Sequence, residues 1–358
     1  DDYVAVATHG RGLFTSNCLA PAMAYVSSTT TQNNTSDVYI GDQNAEVIGV
    51  EIVTNGGGNA IDVNSFTFNT NGSTAPGSDI NNARVYYTGT SNTFAMTNQF
   101  GTDYSNPNGS FIINGTQALA EGTNYFWLVY DISNSATASN IVDAQCTSFN
   151  IGSDETPTET DPTGSRTITT DPCLISTFPY DQDFDSWSTS SPGFACTADG
   201  AVTLGLCWTN ETGDDIDWDV ISGSSGSSNT GPTADHTGSG GNYMYTEASS
   251  CYSSTGYATT PTFDFTGLVN TELRFWYHMW GANMGTLSVE ASTNGGANWS
   301  SVWSLSGDQG NSWQEAVVDL SAYDGNNRVI LRFTGLTGSA YTSDMAIDDI
   351  NVDGTASC

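Results

Sequence analysis

Apolar residues in this chain come in short runs that alternate with polar ones, as in Val47–Val53, Ser65–Phe68 and Thr286–Glu290. That alternation sets one face of a strand on a core and the other toward water. Turn formers separate the runs: Asn55 to Gly58, Asn71-Gly72, Asn294 to Gly296 and Asp324-Gly325. Strands this short, interrupted this often, predict an all-β protein built of sandwiches. Helical spacing is nearly absent, and only Thr116–Ala120 is assigned a helical turn. The polar stretch Ser153–Pro162 reads as a loop and Ser165–Thr169 as the last strand of a first domain, with a boundary near Thr170 to Pro172. The expected architecture is two different β-sandwiches in tandem, 18–170 and 171–358, behind a short N-terminal strand segment, 1–17.

Composition narrows what such a protein can do. The 358 residues carry 39 acidic side chains against six basic ones, all arginine, for a formal net charge of −33. Lysine-dependent chemistry is excluded, and so acidic a surface repels nucleic acid and anionic membranes. Aromatic content of 11% with only 13% charged residues gives too much core material for a disordered acidic tail. No apolar run approaches the roughly 18 residues that span a bilayer, so no membrane insertion is expected. Seven cysteines lie far apart with no Cys-x-x-Cys pair, which favours disulfides in an oxidising compartment over zinc or iron–sulfur ligation. Cys196 with Cys207 could staple one loop, and Cys173 with Cys358 could tie the ends of the second sandwich. The odd count leaves one thiol free or linked elsewhere. A chain that runs from Asp1 to Cys358 reads as a mature piece of a longer secreted precursor.

Three stretches resemble known families. Val4 to Phe14, with its Thr-His-Gly-Arg-Gly core, is similar to the closing strand of a BNR-repeat (sialidase-like) propeller, although 17 residues cannot supply a blade. Glu46–Val53, Val85–Gly89, Leu119–Ile132 and Gly164–Ile168 resemble the sandwich associated with BNR-repeat proteins of secreted Bacteroidetes origin, which implies binding or structural work. Asp217-Trp-Asp219, Gly231–Thr237, Gly241–Tyr245, Leu273–Met279, Met284–Leu287 and Asp344–Ile350 resemble, in order, a MAM domain, an adhesive jelly roll. The Ser-, Gly- and Thr-rich stretch after Cys251 departs from that family, and the family pattern offers this cysteine no obvious partner.

Candidate chemistry is sparse. His9, His236 and His278 are the only histidines, and six scattered arginines make no cluster for a sialic acid carboxylate. His278 reads as a satisfied sandwich residue and His236 as structural. Ser292–Trp299 fits the Asp-box hairpin pattern, with Asn294 in the Asp position, and reads as a turn. Asp214, Asp215, Asp217 and Asp219 read as a solvated loop. Asp348-Asp349 differs, because Ile347 and Ile350 press it against a core in a chain with few cations to balance it. A hard cation with oxygen ligands answers that need. MAM relatives can carry one, and the matching positions here are Asp185, Asp235 and Asp348; Ca²⁺ is preferred over Na⁺, with ion-free carboxylates as the alternative.

The expected function is non-catalytic adhesion or structure at a bacterial cell surface, by contact with protein or glycan. One version is a filament subunit: the strand Tyr3, Val4, Ala5, Val6, Ala7, Thr8 needs a partner, found either in its own first sandwich or on the sheet edge of a second copy. The rivals are a carbohydrate-binding accessory fragment of a secreted hydrolase and an inert spacer.

Overall fold

The computed structural model describes residues 4–7, 13–16, 21–190, 195–238 and 240–357. The chain divides into two units, Asp1–Asp171 and Pro172–Cys358.

In the first unit, alternation along Ala45–Asn55 and Gly122–Ile132 sends Ile48, Val50, Ile52, Phe126 and Leu128 to one side. These strands are the heart of a five-stranded antiparallel sheet ordered Ala24–Thr31, Ala45–Asn55, Gly122–Ile132, Ile80–Tyr87, Gln99–Ser105. A four-stranded sheet ordered Asp154–Glu155, Gln145–Asn150, Asp62–Asn69, Ser110–Ala118 covers that side. Phe66, Phe68, Phe111 and Phe149 from the second sheet meet Phe100 and Phe126 from the first in one core. A small sheet of Ile141–Val142, Arg166–Thr169 and Val38–Tyr39 lies beside them. Buried Arg166 donates there to the carbonyls of Ser36, Asp37 and Glu46.

The second unit repeats the logic with different strands. A six-stranded sheet runs Asp219–Ser222, Asn242–Thr246, Met345–Ala356, Leu268–Met279, Gln314–Asp319, and Tyr180–Gln182 also pairs with Met345–Ala356. Its partner sheet runs Thr209–Asn210, Thr255–Thr259, Ile330–Leu336, Thr286–Ser292, Ser300–Ser306. Trp208, Trp218, Phe275, Phe333, Ile347 and Ile350 fill the space between them. Outside the six-stranded sheet a second, smaller cluster forms from Ile221, Tyr243, Tyr245 and Ala346, with Trp313 against it. The architecture is all-β, two tandem sandwiches, as the patterning predicted.

Several expectations are corrected. Thr116–Ala118 belongs to a strand, and the helical turns among the described residues are Pro76–Asp79, with Pro76 at the first helical position, and the 3₁₀ turn Ser321–Tyr323. The disulfides are Cys173–Cys207 and Cys196–Cys251, not Cys196–Cys207 and Cys173–Cys358. The backbone explains both. Leu206 and Cys207 take positive φ, which turns Cys207 to within 5.6 Å of Cys173 between Cα atoms. The Cys196 amide donates to the Ser249 carbonyl, which carries Cys196 to 6.0 Å from Cys251. Cys18 and Cys358 lie outside the described residues, and Cys146 is a buried free thiol.

The N-terminal strand does not join the first sandwich. Val4–Ala7 pairs antiparallel with Leu13–Ser16 in a two-stranded sheet of its own. Tyr3 and Thr8 lie outside the described residues.

Candidate functional site

The long strand Met345–Ala356 organises the acidic face of the second sandwich. Met345 and Ile347 point into the core, so Ala346 and Asp348 point outward. Ile350 must also reach the core, which a strict two-residue period forbids. Asp349 resolves the conflict by taking φ 46°, and the pairing with Leu268–Met279 shifts register between Arg274 and Trp276. Such a bulge re-aims the side chains around it. Asp348 thereby stays on the outer face, opposite Trp276 and 1% exposed.

Asp235 comes to Asp348 on the loop that precedes Asn242–Thr246. Its Oδ1 accepts from the Thr237 amide at 2.7 Å, a local turn that holds the carboxylate. Asp348 accepts from the His236 amide at 3.0 Å and the Asp349 amide at 2.8 Å, and it shares a side-chain hydrogen bond with Asp235. Burial first, then Asp235, pushes the Asp348 carboxyl up to about 9. Two carboxylates can hydrogen-bond only through a proton, so the pair wants either a proton or a cation between its oxygens.

Asp185 completes the row. Its Oδ1 accepts from the Asn242 amide at 2.8 Å. Gly241 explains why the row can form, because a Cβ there would strike both Oδ1 of Asp185 and Oδ2 of Asp235. Asp185 and Asp235 thus both face Gly241, and Asp235 bonds to Asp348, but among the described residues this trio does not bring one oxygen of each within 4.8 Å of the others. Asp348 and Asp235 are buried and Asp185 is exposed, so the row opens to solvent at one end. His236 stands beside it, stacked on Trp276 at 3.7 Å between ring centroids and bonded through Nδ1 to Asp349 at 2.5 Å.

Sequence reasoning missed two further acidic groups. Asp199, Asp214 and Asp217 each bring one carboxylate oxygen within 4.8 Å of the others, so the group could hold a metal ion. The solvated-loop reading of this run is corrected: Asp217 is 1% exposed and accepts from the amides of Gly200 and Val202, while Asp219 accepts from Ser190 and Thr197. Trp218 lies in the core between them, and that flanking tryptophan was the available signal. The other group is Glu247 with Asp344, both essentially buried, each with one oxygen that meets no donor among the described residues. Burial and the Glu247 charge push Asp344 up to about 8.

Arg84 pairs with Asp103 and Asp131, Arg274 with Glu272 and Glu315, and Arg332 with Glu290 and Glu211. His278 is only half satisfied: Nε2 meets Asn311, whereas Nδ1 is buried without a partner and desolvation lowers the ring's pKa. Ser292–Trp299 is the expected turn, with the Gly296 amide donating to Ser292 and the Asn298 amide to Asn294.

Comparison with known proteins fits this geometry. Residues 196–358 match the family model of the MAM domain (meprin/A5/mu), and residues 27–155 match that of the N-terminal domain of BNR-repeat neuraminidase. The chain carries a MAM domain behind a BNR-associated domain. Among curated relatives, neuropilin-1a of Danio rerio is 32% identical over 163 residues, 44% of this chain and 17% of that protein. The human MAM domain-containing glycosylphosphatidylinositol anchor protein 1 is 34% identical over 153 residues, 40% of this chain and 16% of the relative. The chain therefore spans less than a fifth of either relative. Among solved structures, the K1 cleaved adhesin domain of Lys-gingipain from Porphyromonas gingivalis aligns with 50% of this chain and 100% of its own, at TM-score 0.34 and 14% identity. The CBM22-1–CBM22-2 tandem of Paenibacillus barcinonensis Xyn10C aligns with 93% of this chain and 94% of its own, at TM-score 0.30 and 13% identity. The acidic row of Asp185, Asp235 and Asp348 belongs to the MAM half, with its last two members inside the matched segment.

Proposed function

We propose that this chain is a non-catalytic extracellular adhesion segment that contacts cell-surface proteins or glycans. The observation that carries this reading is the MAM match over residues 196–358, most of the second sandwich, in a domain held by the Cys196–Cys251 and Cys173–Cys207 disulfides. Disulfides fit an oxidising, extracellular setting. No helix among the described residues is long and apolar enough to cross a membrane. Saturable attachment of the purified chain to intact cells tests the reading.

Calcium belongs to the same proposal. Asp235 and Asp348 fit a hard cation as hydrogen-bonded oxygen donors, and Asp185 approaches Asp235 across Gly241. Bound there, calcium would supply the positive charge that this face lacks and fix the loop carrying Asp235 and His236.

The N-terminal hairpin supports a self-assembling version. A two-stranded sheet on its own is marginal in water, and each of its strands has an edge left to pair. Addition of that edge to a sheet of a second copy would be head-to-tail and could propagate. Removing residues 1–16 is expected to convert assemblies seen by light scattering or electron microscopy into monomers. A truncated chain that assembles normally, or a full chain monomeric at every concentration, rejects this version.

A further inference from the structure

The outer face of the five-stranded sheet in the first sandwich carries a row of residues that no disulfide, core or acidic site uses. Across the strands, Thr31 pairs with Gly49, Gly49 with Trp127, Trp127 with Tyr86, and Tyr86 with Gln99. Gly49 makes the row possible: a Cβ there would come 2.8 Å from Thr31 Oγ1 and 3.2 Å from Trp127 Cζ3. The indole therefore lies across the glycine, and its Nε1 donates to Thr88 Oγ1 at 2.8 Å, which fixes the ring. Phe94, on the loop between the third and fourth strands of this face in chain order, packs edge-on to Trp127 at 6.0 Å and to Tyr86 at 6.4 Å between centroids.

An open cleft of about 440 Å³ lies between this loop and the turn after Thr31, lined by Trp127, Phe94, Asn34, Glu46, Asn92 and Thr93. The volume is within the range of small-molecule sites. Its chemistry is an aromatic surface ringed by three carboxamides, Asn33 included, a hydroxyl and a carboxylate. Carboxamides both donate and accept, as a vicinal diol requires of its partners, and a carboxylate accepts from two hydroxyls at once. Asn34 hydrogen-bonds to Glu46, so the polar rim is already connected before a ligand enters, while burial raises the Glu46 pKa.

Charge selects among sugars. The arginines described in this unit are committed: Arg84 to Asp103 and Asp131, Arg166 to three backbone carbonyls. An anionic sugar beside Glu46 would meet like charge, offset only in part by Arg166, whose donors are already spent on backbone carbonyls, in a chain of net charge −33.

From this geometry we infer that the cleft at Trp127, Phe94 and Glu46 is a binding site for a neutral sugar residue of a glycan, its C–H face on the aromatic wall and its hydroxyls on Asn34, Asn92, Thr93 and Glu46. The inference rests on the surface-contact reading and gives one of its ligands a chemical class and a place. It assigns glycan contact to the BNR-associated half, whereas the adhesion reading was carried by the MAM half.

The test titrates the full chain with neutral gluco-, galacto- and manno-oligosaccharides, with sialyllactose as the anionic comparator, followed by tryptophan fluorescence and saturation-transfer NMR. Binding of a neutral oligosaccharide at least about tenfold tighter than sialyllactose is expected, with a loss of about tenfold or more in Phe94→Ala and in Asn92→Ala. Asn92 is exposed on its loop, so Asn92→Ala should unfold at the wild-type temperature and keeps the test valid if Phe94→Ala loosens the loop. Neutral binding untouched by both substitutions would put the ligand elsewhere and overturn the inference. Sialyllactose binding as tightly as the neutral sugars, or no neutral sugar binding at all, would overturn it too. Cells that still take up a chain blind to neutral sugars would leave the surface-contact reading standing while this inference falls. Sugar binding by a chain that attaches to no cell would do the reverse.

Discussion

Chelating calcium from the purified chain is expected to lower the unfolding temperature of the second sandwich by on the order of 10 °C, and Asp348→Asn should abolish that response. Three observations lead there. Asp348 is 1% exposed, it sits on a strand bulge that aims it outward, and it touches Asp235 with no basic side chain balancing the pair. Free cation at a hundred to a thousand times its dissociation constant stabilises a folded state by about 3–4 kcal/mol. In a domain of this size each kcal/mol moves the midpoint by roughly 2–4 °C. Asp348→Asn retains a carbonyl acceptor for the His236 or Asp349 amide and removes the repulsion with Asp235. The variant should therefore fold in chelator and fail only to respond to calcium. Wild-type unfolding that coincides in calcium and in chelator, within about 1 °C, would refute the site.

The second large effect is a loss of stability with rising pH, centred on Glu247 and Asp344. Asp344 Oδ1 accepts from the Ala248 amide and Glu247 Oε1 from the Ser249 amide, and Ser225 and Glu247 lie against the Asp344 carboxyl. Ser225, Ser227, Tyr243, Tyr245 and Asp219 surround them, with no cation among these neighbours. Burial, with Glu247 second, raises Asp344 from 3.8 to about 8. The folded chain therefore keeps a proton that the unfolded chain releases near its ordinary value. The pair's contribution is complete below about pH 4, declines as pH rises, and is gone above about pH 8. The expected loss across that window is on the order of 3–5 kcal/mol. Asp344→Asn supplies a permanent N–H donor to Glu247 and should make the dependence shallower, leaving the part that Asp348 contributes, measured by urea unfolding in chelator from pH 4 to pH 9. A wild-type profile that is flat or rises across that range would show that the two carboxyls share no proton.

The strands were legible because their alternation is local, and so was the Asp349 bulge in outline. Ile347-Asp-Asp-Ile350 spaces two core residues three apart, which an unbroken strand cannot satisfy. Asp185, Asp235 and Asp348 could be connected only through family resemblance, since Gly241, the residue that lets two of them approach, looks like any loop glycine. The run from Asp214 to Asp219 misled because abundant acids suggest solvent, yet Ile216 and Trp218 carry the segment inward. Cysteine pairing was not legible. It depends on the turn at Leu206 and Cys207 and on a backbone hydrogen bond from Cys196 to Ser249, neither of which spacing reveals. The aromatic cleft was hidden for a related reason. Asn34, Glu46, Phe94 and Trp127 are brought together by sheet order, and Phe94 sits in a polar loop that alternation ignores.

Surface attachment is the account's central claim, and the most direct measurement of it is equilibrium binding of the fluorescently labelled, calcium-loaded chain to intact cells. Parallel samples would have their surface proteins or glycans enzymatically removed. The account predicts saturable binding that unlabelled chain competes away, that falls when one of those surface layers is stripped, and that leaves the released surface material chemically unchanged. Binding that never saturates, or that survives removal of both protein and glycan, would contradict it, as would hydrolysis of surface glycans by the chain itself.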